Sequence, residues 1–167
     1  MTVTIGVLSD THIHARGKQL PDPLLARFRE ADFILHAGDW ISMDVYEKLS
    51  QLAPVDGVAG NVDGEEILKR FGKKKLLQFE GVRIGVVHGH EGTGRTTPER
   101  AISVFREERP ELIIFGHSHI PYLAKMENAL LFNPGSPTDK RRQPRYSFGI
   151  VTISGSQISA EHIYFDH

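Results

Sequence analysis

The chain has 167 residues, 40% of them hydrophobic and 25% charged, which is typical of a single globular domain over residues 1–167. Its apolar runs are far shorter than the roughly 18 residues of a membrane span, so we expect no membrane partner. Twenty basic and 21 acidic side chains argue against a broad nucleic-acid footprint. Zero cysteines exclude thiolate ligands and a cysteine nucleophile, and the lack of a secretory signal favours a cytoplasmic location.

Strands and helices alternate in the first half of the predicted structure. Short apolar, β-branched runs predict strands, and apolar residues at a spacing of three to four predict helices. Asp22-Pro23 and Ser42 are typical helix starts. The predicted order is a strand at 3–8, a helix at 21–31, a strand at 32–37, a helix at 42–52, a strand at 55–59 and a helix at 65–71.

The second half is predicted to be mostly β-structure. A tight turn at Glu80-Gly81 joins predicted strands at 76–79 and 82–87 into a hairpin. One helix follows at 98–108, with Thr97 as its cap and Pro98 in its first turn. The remaining predicted strands are 111–115, 122–126, 130–133, 146–153 and 157–165. This order favours a layered α/β domain in which the late hairpins extend a sheet and ligands bind beyond the carboxyl ends of the strands.

Oxygen and nitrogen donors follow five of the predicted strands. Six of the nine histidines form His-x-His pairs, and residues two apart in an extended chain point to the same face. The loops supply one set of donors after each strand, as expected if all of them serve a common site. These loop sequences are Asp10-Thr11-His12, Gly38-Asp39, Gly60-Asn61, His88-Gly89-His90 and Gly116-His117-Ser118-His119.

The donor types predict a site for two transition metals. Carboxylate, amide and imidazole groups suit Mn, Fe, Ni or Zn, and the histidine content disfavours a pure Mg or Ca site. The donors counted for this site are Asp10, His12, Asp39, Asn61, His88, His117 and His119. These seven exceed the four ligands of one tetrahedral metal, whereas two metals that share a bridging ligand can use them all. Asp39 is the natural bridge because a carboxylate joins two cations better than an amide does. Two such metals clamp a phosphoryl oxygen and hold a bridging hydroxide for in-line attack.

In this order, the five loop sequences resemble the signature of the calcineurin-like metallophosphoesterases. In its short length and in Asn133-Pro134-Gly135-Ser136, the chain resembles the small branch of this family, which includes bacterial and archaeal phosphodiesterases. A retromer subunit shares the fold of that branch. The resemblance spans Ser9 to Ser136. It implies a four-layer αββα sandwich of two mixed sheets flanked by helices.

The resemblance also implies the metal ligands. It assigns one metal to Asp10, His12, Asp39 and His119, and a second metal to Asp39, Asn61, His88 and His117. His88 rather than His90 is a ligand on the resemblance alone. The implied cofactors are two divalent transition-metal ions, with Mn as the first choice and Ni, Fe or Zn as alternatives.

One position departs from the family pattern. Larger members carry a histidine after Gly-Asn that is thought to protonate the leaving group, whereas this chain has Val62, which cannot transfer a proton. His90 is the candidate substitute, since it follows His88 by two residues and can face the same site. We therefore expect His90 and Asn61 to be the catalytic residues.

The predicted function is a dinuclear metal-dependent phosphodiesterase that acts on a small-molecule or nucleotide phosphodiester. The alternative is a weakly active or inactive scaffold on the same fold. Intact donors at all seven positions favour the enzyme and Val62 favours the scaffold. The sequence leaves a homo-oligomer open for either function. A Rossmann-type nucleotide binder is excluded because no Gly-x-Gly-x-x-Gly follows the first strand.

Several other polar residues have two interpretations. Asp63 is equally compatible with a residue that orients a ligand and with an ordinary loop acid. His36 is expected to be a hydrogen-bonded core or orienting residue, and Trp40 either lines the site or packs in the core. The basic segment 140–145 is either a solvated loop or a contact for a substrate phosphate. Surface positions are expected for His14, His162 and His167.

Overall fold

Two five-stranded sheets pack face to face in the computed structural model, which describes residues 2–14 and 18–166. The strands are β1 (Thr2–Leu8), β2 (Phe33–His36), β3 (Val55–Gly57), β4 (Lys74–Phe79), β5 (Val82–Val87), β6 (Leu112–Ile114), β7 (Tyr122–Met126), β8 (Ala129–Asn133), β9 (Tyr146–Ser154) and β10 (Gln157–Phe165). The helices of the described residues are α1 (Asp22–Phe28), α2 (Met43–Ser50), α3 (Glu65–Phe71) and α4 (Thr97–Val104).

Both sheets are mixed, and each contains three adjacent parallel strands. The first sheet has the order β10-β9-β1-β2-β3, in which β1, β2 and β3 are parallel to one another. In this sheet, β9 pairs antiparallel with both of its neighbours, β1 and β10. The second has the order β4-β5-β6-β8-β7, in which β5, β6 and β8 are parallel. Parallel strands end at the same edge of a sheet, so the loops that follow them come together.

Apolar side chains cover both faces of the central strands. Val7 of β1 and Ile84 of β5 are buried between the sheets, whereas Leu8 packs on the opposite face with Leu24 and Phe28 of α1. Helices α2 and α3 pack in that same outer cluster, and α4 covers the second sheet. Since successive residues of a strand point to opposite faces, these runs must be apolar throughout. The predicted four-layer αββα sandwich is confirmed.

The observed elements match the predicted ones in type and order but are often shorter. Helix α1 ends at Phe28, and the amides of Glu30 and Ala31 bond to carbonyls three residues back, which closes the chain in a turn. The predicted cap of α4 was wrong: Thr96, not Thr97, accepts a hydrogen bond from the Glu99 amide. The Glu99 carboxylate in turn accepts a hydrogen bond from the Thr96 amide, and this capping box fixes the helix start.

Trp40 packs in the core and does not line an open site. Its indole is fully buried and stacks between the rings of His36 (4.0 Å) and Phe71 (4.5 Å). Its Nε1 donates a hydrogen bond to the Val58 carbonyl, 2.8 Å away. Trp40 therefore anchors in the core the loop that also carries Asp39.

Each helix of the described residues has seven or eight residues. None of them is long and apolar enough to cross a membrane.

A close contact between Gly6 and Phe28 predicts a stability change. A Cβ atom on Gly6 of β1 would lie 2.6 Å from atoms of the Phe28 ring, which is itself fully buried. We expect Gly6→Ala to lower the free energy of unfolding by about 1–3 kcal/mol, because overpacking displaces α1 from the sheet. Chemical denaturation followed by circular dichroism measures the change.

Gly64→Ala is the matched control, since Gly64 has an ordinary φ of −81° and a Cβ there meets no atom within 4 Å. Equal effects of the two substitutions would contradict the packing argument.

Candidate metal centre

The loops that follow the central strands have unusual backbone conformations. Left-handed φ angles are uncommon for residues other than glycine and concentrate at functional sites, where the surrounding structure holds them. The loops after β1, β2 and β6 contain six such residues, and five of them are predicted donors: Asp10 (57°), His12 (48°), Asp39 (63°), His117 (74°) and His119 (63°). The predicted donors therefore lie on a backbone that the fold constrains.

Asp10 is fully buried at the centre of the site. Its Oδ2 accepts hydrogen bonds from Ser9 Oγ and from the His117 amide, both at 2.9 Å. Its Oδ1 lacks a hydrogen-bond partner among the described residues and lies 3.6 Å from His88 Nε2 and 3.5 Å from His119 Nε2. One oxygen thus fixes the carboxylate and the other faces the imidazoles.

Backbone carbonyls set the tautomers of His88 and His119. His88 Nδ1 donates to the Ala37 carbonyl at 2.8 Å, and His119 Nδ1 donates to the Asp139 carbonyl. Because a carbonyl only accepts, each Nδ1 carries a proton, and in the neutral ring each Nε2 presents a lone pair. This is the usual arrangement of a histidine that binds a metal.

Asp39 contacts histidines from two different loops. Its Oδ2 lies 3.2 Å from His88 Nε2 and 3.3 Å from His12 Nε2, and its Oδ1 accepts a hydrogen bond from the Val62 amide at 3.1 Å. His12 Nε2 is also 3.9 Å from Asp10 Oδ1. Asp39 therefore lies between the imidazoles that the resemblance assigns to different metals.

The spacing and burial of these atoms fit divalent metal ions. Two groups have ligand atoms within 4.8 Å of one another, namely Asp10/His12/His119 and Asp10/Asp39/His88. Ligands bonded at about 2.1 Å in one shell lie about 3.0–3.5 Å apart, close to the distances above. Four donor atoms lack hydrogen-bond partners within residues 2–14 and 18–166, a costly state that a bound cation relieves: Asp10 Oδ1, His12 Nε2, His88 Nε2 and His119 Nε2.

Of the two histidines after β5, His88 is the one beside the carboxylates. It is fully buried and close to both Asp10 and Asp39. His90 is half-buried, with its ring 5.5 Å from the His88 ring and 6.2 Å from the His117 ring. The geometry therefore agrees with the choice of His88 that the resemblance implies.

Asn61 and His117 lie at the edge of the cluster. Asn61 is exposed in the turn after β3, next to Val62, whose amide bonds to Asp39. The His117 ring lies 5.1 Å from the His88 ring, and its amide bonds to Asp10. Their roles as ligands stay predictions.

The electrostatics of the cluster favour charged carboxylates. Burial raises the pKa of Asp10, but the contact with His12 and the charges of His88 and His119 outweigh it and leave the pKa below its ordinary value. Burial likewise opposes ionisation of Asp39, whereas His12 and His88 hold its pKa well below the usual range. In return, Asp10 and then Asp39 raise the pKa of His12 to about 9.

His36 orients the loop that carries Asp39, in agreement with one of its sequence-based interpretations. Its Nδ1 accepts a hydrogen bond from the Gly38 amide at 3.0 Å, so its Nε2 carries the proton and donates to Thr11 Oγ1 at 3.1 Å. Burial lowers the pKa of His36 to about 3, and the ring is therefore neutral.

Hydroxyl groups in the loop after β8 form hydrogen bonds to the loop after β1, and the sequence did not indicate them. Ser136 Oγ donates to the Asp10 carbonyl at 2.8 Å, and Thr138 Oγ1 donates to the Thr11 carbonyl at 2.6 Å. The resemblance included Asn133-Pro134-Gly135-Ser136, but it gave no role to the hydroxyls. Serine and threonine are too common in loops for their type alone to indicate such contacts.

The outer histidines are placed differently from one another. His162 was expected at the surface, and that expectation was wrong: it is half-buried, and its Nε2 donates to the Asn133 carbonyl at 2.7 Å. Strand β10 turns this side chain toward Phe132, whose ring lies 4.7 Å away. His14 is exposed as predicted, and His167 lies outside the described residues.

Two arginines of the basic segment 140–145 have acidic partners. Arg145 Nε lies 3.0 Å from Asp166 Oδ1, and Arg141 Nε lies 3.8 Å from Asp139 Oδ2. Contact between this segment and a substrate phosphate stays a prediction.

Comparison with known proteins identifies the class of protein that this fold and donor set define. The model of the calcineurin-like phosphoesterase superfamily domain matches residues 3–156, and the chain belongs to that family. A probable metallophosphoesterase of Methanothermobacter thermautotrophicus is 37% identical over 164 residues, which are 95% of this chain and 91% of the relative.

Two further comparisons concern activity and fold. A phosphodiesterase of Methanocaldococcus jannaschii is 25% identical over 143 residues, covering 78% of this chain and 82% of the relative. The crystal structure of Vps29 from Entamoeba histolytica in complex with Zn²⁺ has a TM-score of 0.78 at 21% identity, covering 98% of this chain and 99% of that one. This second likeness shows the fold alone.

The raised pKa of His12 predicts proton release on metal binding. A pKa of about 9 keeps metal-free His12 protonated at pH 7, and a metal must displace that proton because only neutral imidazole binds it. Burial opposes the charged form of His88, but Asp39 and Asp10 outweigh it and raise the pKa of His88 as well. We therefore expect Mn²⁺ binding at pH 7 to release one or more protons and to become tighter as pH rises toward 9. Calorimetry in buffers of different ionisation enthalpy counts the protons.

His12→Gln should reduce the number of protons released, and His14→Ala, at an exposed position, should leave it unchanged. Metal binding by the unaltered protein without proton release would contradict the pKa assignment.

Proposed function

We propose that the protein is a dinuclear metal-dependent phosphodiesterase. The observation that carries the proposal is the convergence of four buried donor atoms without hydrogen-bond partners among the described residues: Asp10 Oδ1, His12 Nε2, His88 Nε2 and His119 Nε2. The family is one of phosphoesterases, and one relative is named a phosphodiesterase. A small-molecule or nucleotide phosphodiester is the substrate class.

In this proposal, Asp39 is the bridging ligand. Its Oδ2 is close to His12 and to His88, one from each proposed shell. Asp10 also lies near both, but two hydrogen bonds occupy its Oδ2. The shells are then Asp10, His12, Asp39 and His119 for one ion, and Asp39, Asn61, His88 and His117 for the other.

The donor set defines the chemistry of the centre. Two divalent ions held there would polarise the phosphoryl group and activate a water for attack on phosphorus. Imidazole and carboxylate ligands suit Mn, Ni, Fe or Zn. The carbonyls of Ala37 and Asp139 hold His88 and His119 in the tautomer that this role requires.

His90 is the proposed proton donor to the leaving group. It is half-buried beside His88 and His117, and its Nδ1 lacks a hydrogen-bond partner in the part of the chain that the structure describes. Val62 cannot supply the proton, and its side chain is 49% exposed. Burial, and then the charge of His88, lower the pKa of His90, so the donating form is a minor fraction at neutral pH.

A scaffold without catalysis is the second candidate function. The exposed Val62 favours it, because the family histidine is replaced there by a side chain that can instead contact a partner. The same fold occurs in Vps29. Hydrolysis assays on the metal-loaded protein distinguish the two functions.

Removal of the proposed bridge should weaken both metal sites. We expect metal-stripped protein to hydrolyse an aryl phosphodiester only after addition of Mn²⁺ or a related ion, and chelator to abolish the activity. Asp39→Ala should lose about 100-fold or more of this activity and bind both ions more weakly. Loss of a residue that orients a metal ligand costs about 10–100-fold in affinity or activity, and loss of the ligand itself should cost at least as much. Elemental analysis and calorimetry measure the stoichiometry.

Glu47→Ala, an exposed acid on α2, is the control and should keep both properties. Two tightly bound ions in Asp39→Ala would contradict the bridge, and full activity in the presence of chelator would contradict metal-dependent catalysis.

The proton-donor role of His90 predicts a dependence on the leaving group. An aryl oxygen departs without a proton, whereas an alkyl oxygen needs one, and general acid catalysis contributes about 10²–10⁴-fold. His90→Ala should therefore lower turnover of alkyl diesters far more than that of aryl diesters, with unchanged metal content. Equal losses on both substrates, or loss of metal, would show that His90 is a ligand or a structural residue.

A further inference from the structure

Asp63 joins the two loops that flank the proposed metal bridge. Its Oδ2 accepts hydrogen bonds from the amides of Asp39 (2.8 Å) and Gly60 (2.7 Å), and its Oδ1 accepts one from the amide of Ile41 (2.8 Å). Two of these amides belong to the loop after β2 and one to the loop after β3. A single carboxylate thus satisfies three backbone donors around Asp39.

These hydrogen bonds hold a strained backbone. Asp39 and Ile41 both have left-handed φ angles, 63° and 78°. For a β-branched residue such as Ile41 this conformation is a clear outlier, and it persists only where other contacts enforce it. Charge-assisted bonds to the two amides offset this strain and fix the direction in which the Asp39 side chain leaves the loop.

The loop after β3 is also pressed against the Asp39 carboxylate. A Cβ on Gly60 would collide with Asp39 Oδ1, and the Val62 amide donates to that same oxygen. Because Asp63 binds the Gly60 amide and the Asp39 amide through one oxygen, it sets the separation of the two loops. Both oxygens of Asp63 act as acceptors for backbone amides, and neither has to bind a metal ion to hold the two loops.

We propose that Asp63 is a positioning residue for the metal centre: it holds the Asp39 carboxylate where two ions can share it. The proposal rests on the proposed dinuclear function. Asp63 itself contacts neither substrate nor metal, and acts through the backbone of Asp39, Ile41 and Gly60. An ordinary loop acid at this position would affect the stability of the fold and leave the metal affinity unchanged.

Cobalt binding by Asp63→Asn tests the proposal. The Asn amide nitrogen cannot accept an N–H bond, so the substitution removes at least one of the three contacts at nearly constant volume. We expect affinity for Co²⁺ to fall about 10–100-fold, the usual effect of residues that orient a ligand, and the visible absorption bands of the bound ion to shift. Calorimetry and absorption titration of metal-stripped protein give both readouts.

Asp56→Asn is the matched control. Asp56 is a half-buried acid on β3 that bonds to Lys75 Nζ (2.6 Å) and to the Gly57 amide (2.8 Å). Its substitution should lower the thermal unfolding temperature without changing cobalt affinity or the spectrum. Thermal unfolding of the metal-free variants separates this stability effect from the effect on the metal centre.

The outcomes separate the positioning role from the metal centre itself. Wild-type affinity and spectrum in folded Asp63→Asn would overturn the role of Asp63 while leaving the metal centre intact. Failure of the unaltered protein to bind cobalt would overturn both. If Asp63→Asn does not fold, Asp63→Glu decides, since it keeps the charge and both acceptors but displaces them by one methylene; weaker cobalt binding supports the role and equal binding overturns it.

Discussion

The structure depends on the burial of one carboxylate, that of Asp10, where loops of the two sheets meet. A buried charge is unfavourable unless donors and opposite charges surround it. Ser9 and the His117 amide supply the donors, and imidazoles of His88 and His119 face the free oxygen. Ser9 follows β1 of the first sheet and His117 lies in the loop after β6 of the second sheet. The Asp10 carboxylate therefore connects loops of both sheets in one site.

The main donors were predictable because strands have simple patterns. Continuous apolar runs mark strands that are buried on both faces, and the polar residues that end them must lie at the edge of a sheet. Asp10, Asp39 and His88 follow such runs within three residues. In the structure, His88 Nε2 lies 3.6 Å from Asp10 Oδ1 and 3.2 Å from Asp39 Oδ2. Most element types and a layered α/β domain followed from the same patterns, whereas the four-layer sandwich followed from the resemblance.

Contacts between distant residues were not predictable. Ser136 bonds to the Asp10 carbonyl across 126 positions, and nothing in the local sequence distinguishes this serine from a solvated one. The choice between His88 and His90 depends on the Ala37 carbonyl, which only tertiary structure brings close. The three amide partners of Asp63, on which its proposed positioning role rests, were not predictable either. The single-domain extent 1–167 stays a prediction.

Anomalous scattering from crystals soaked in Mn²⁺ would locate the metal ions themselves. We expect two peaks, one within reach of Asp10, His12 and His119 and the other within reach of His88, with the Asp39 carboxylate between them. A single peak, or two peaks that do not share Asp39, would contradict the dinuclear centre.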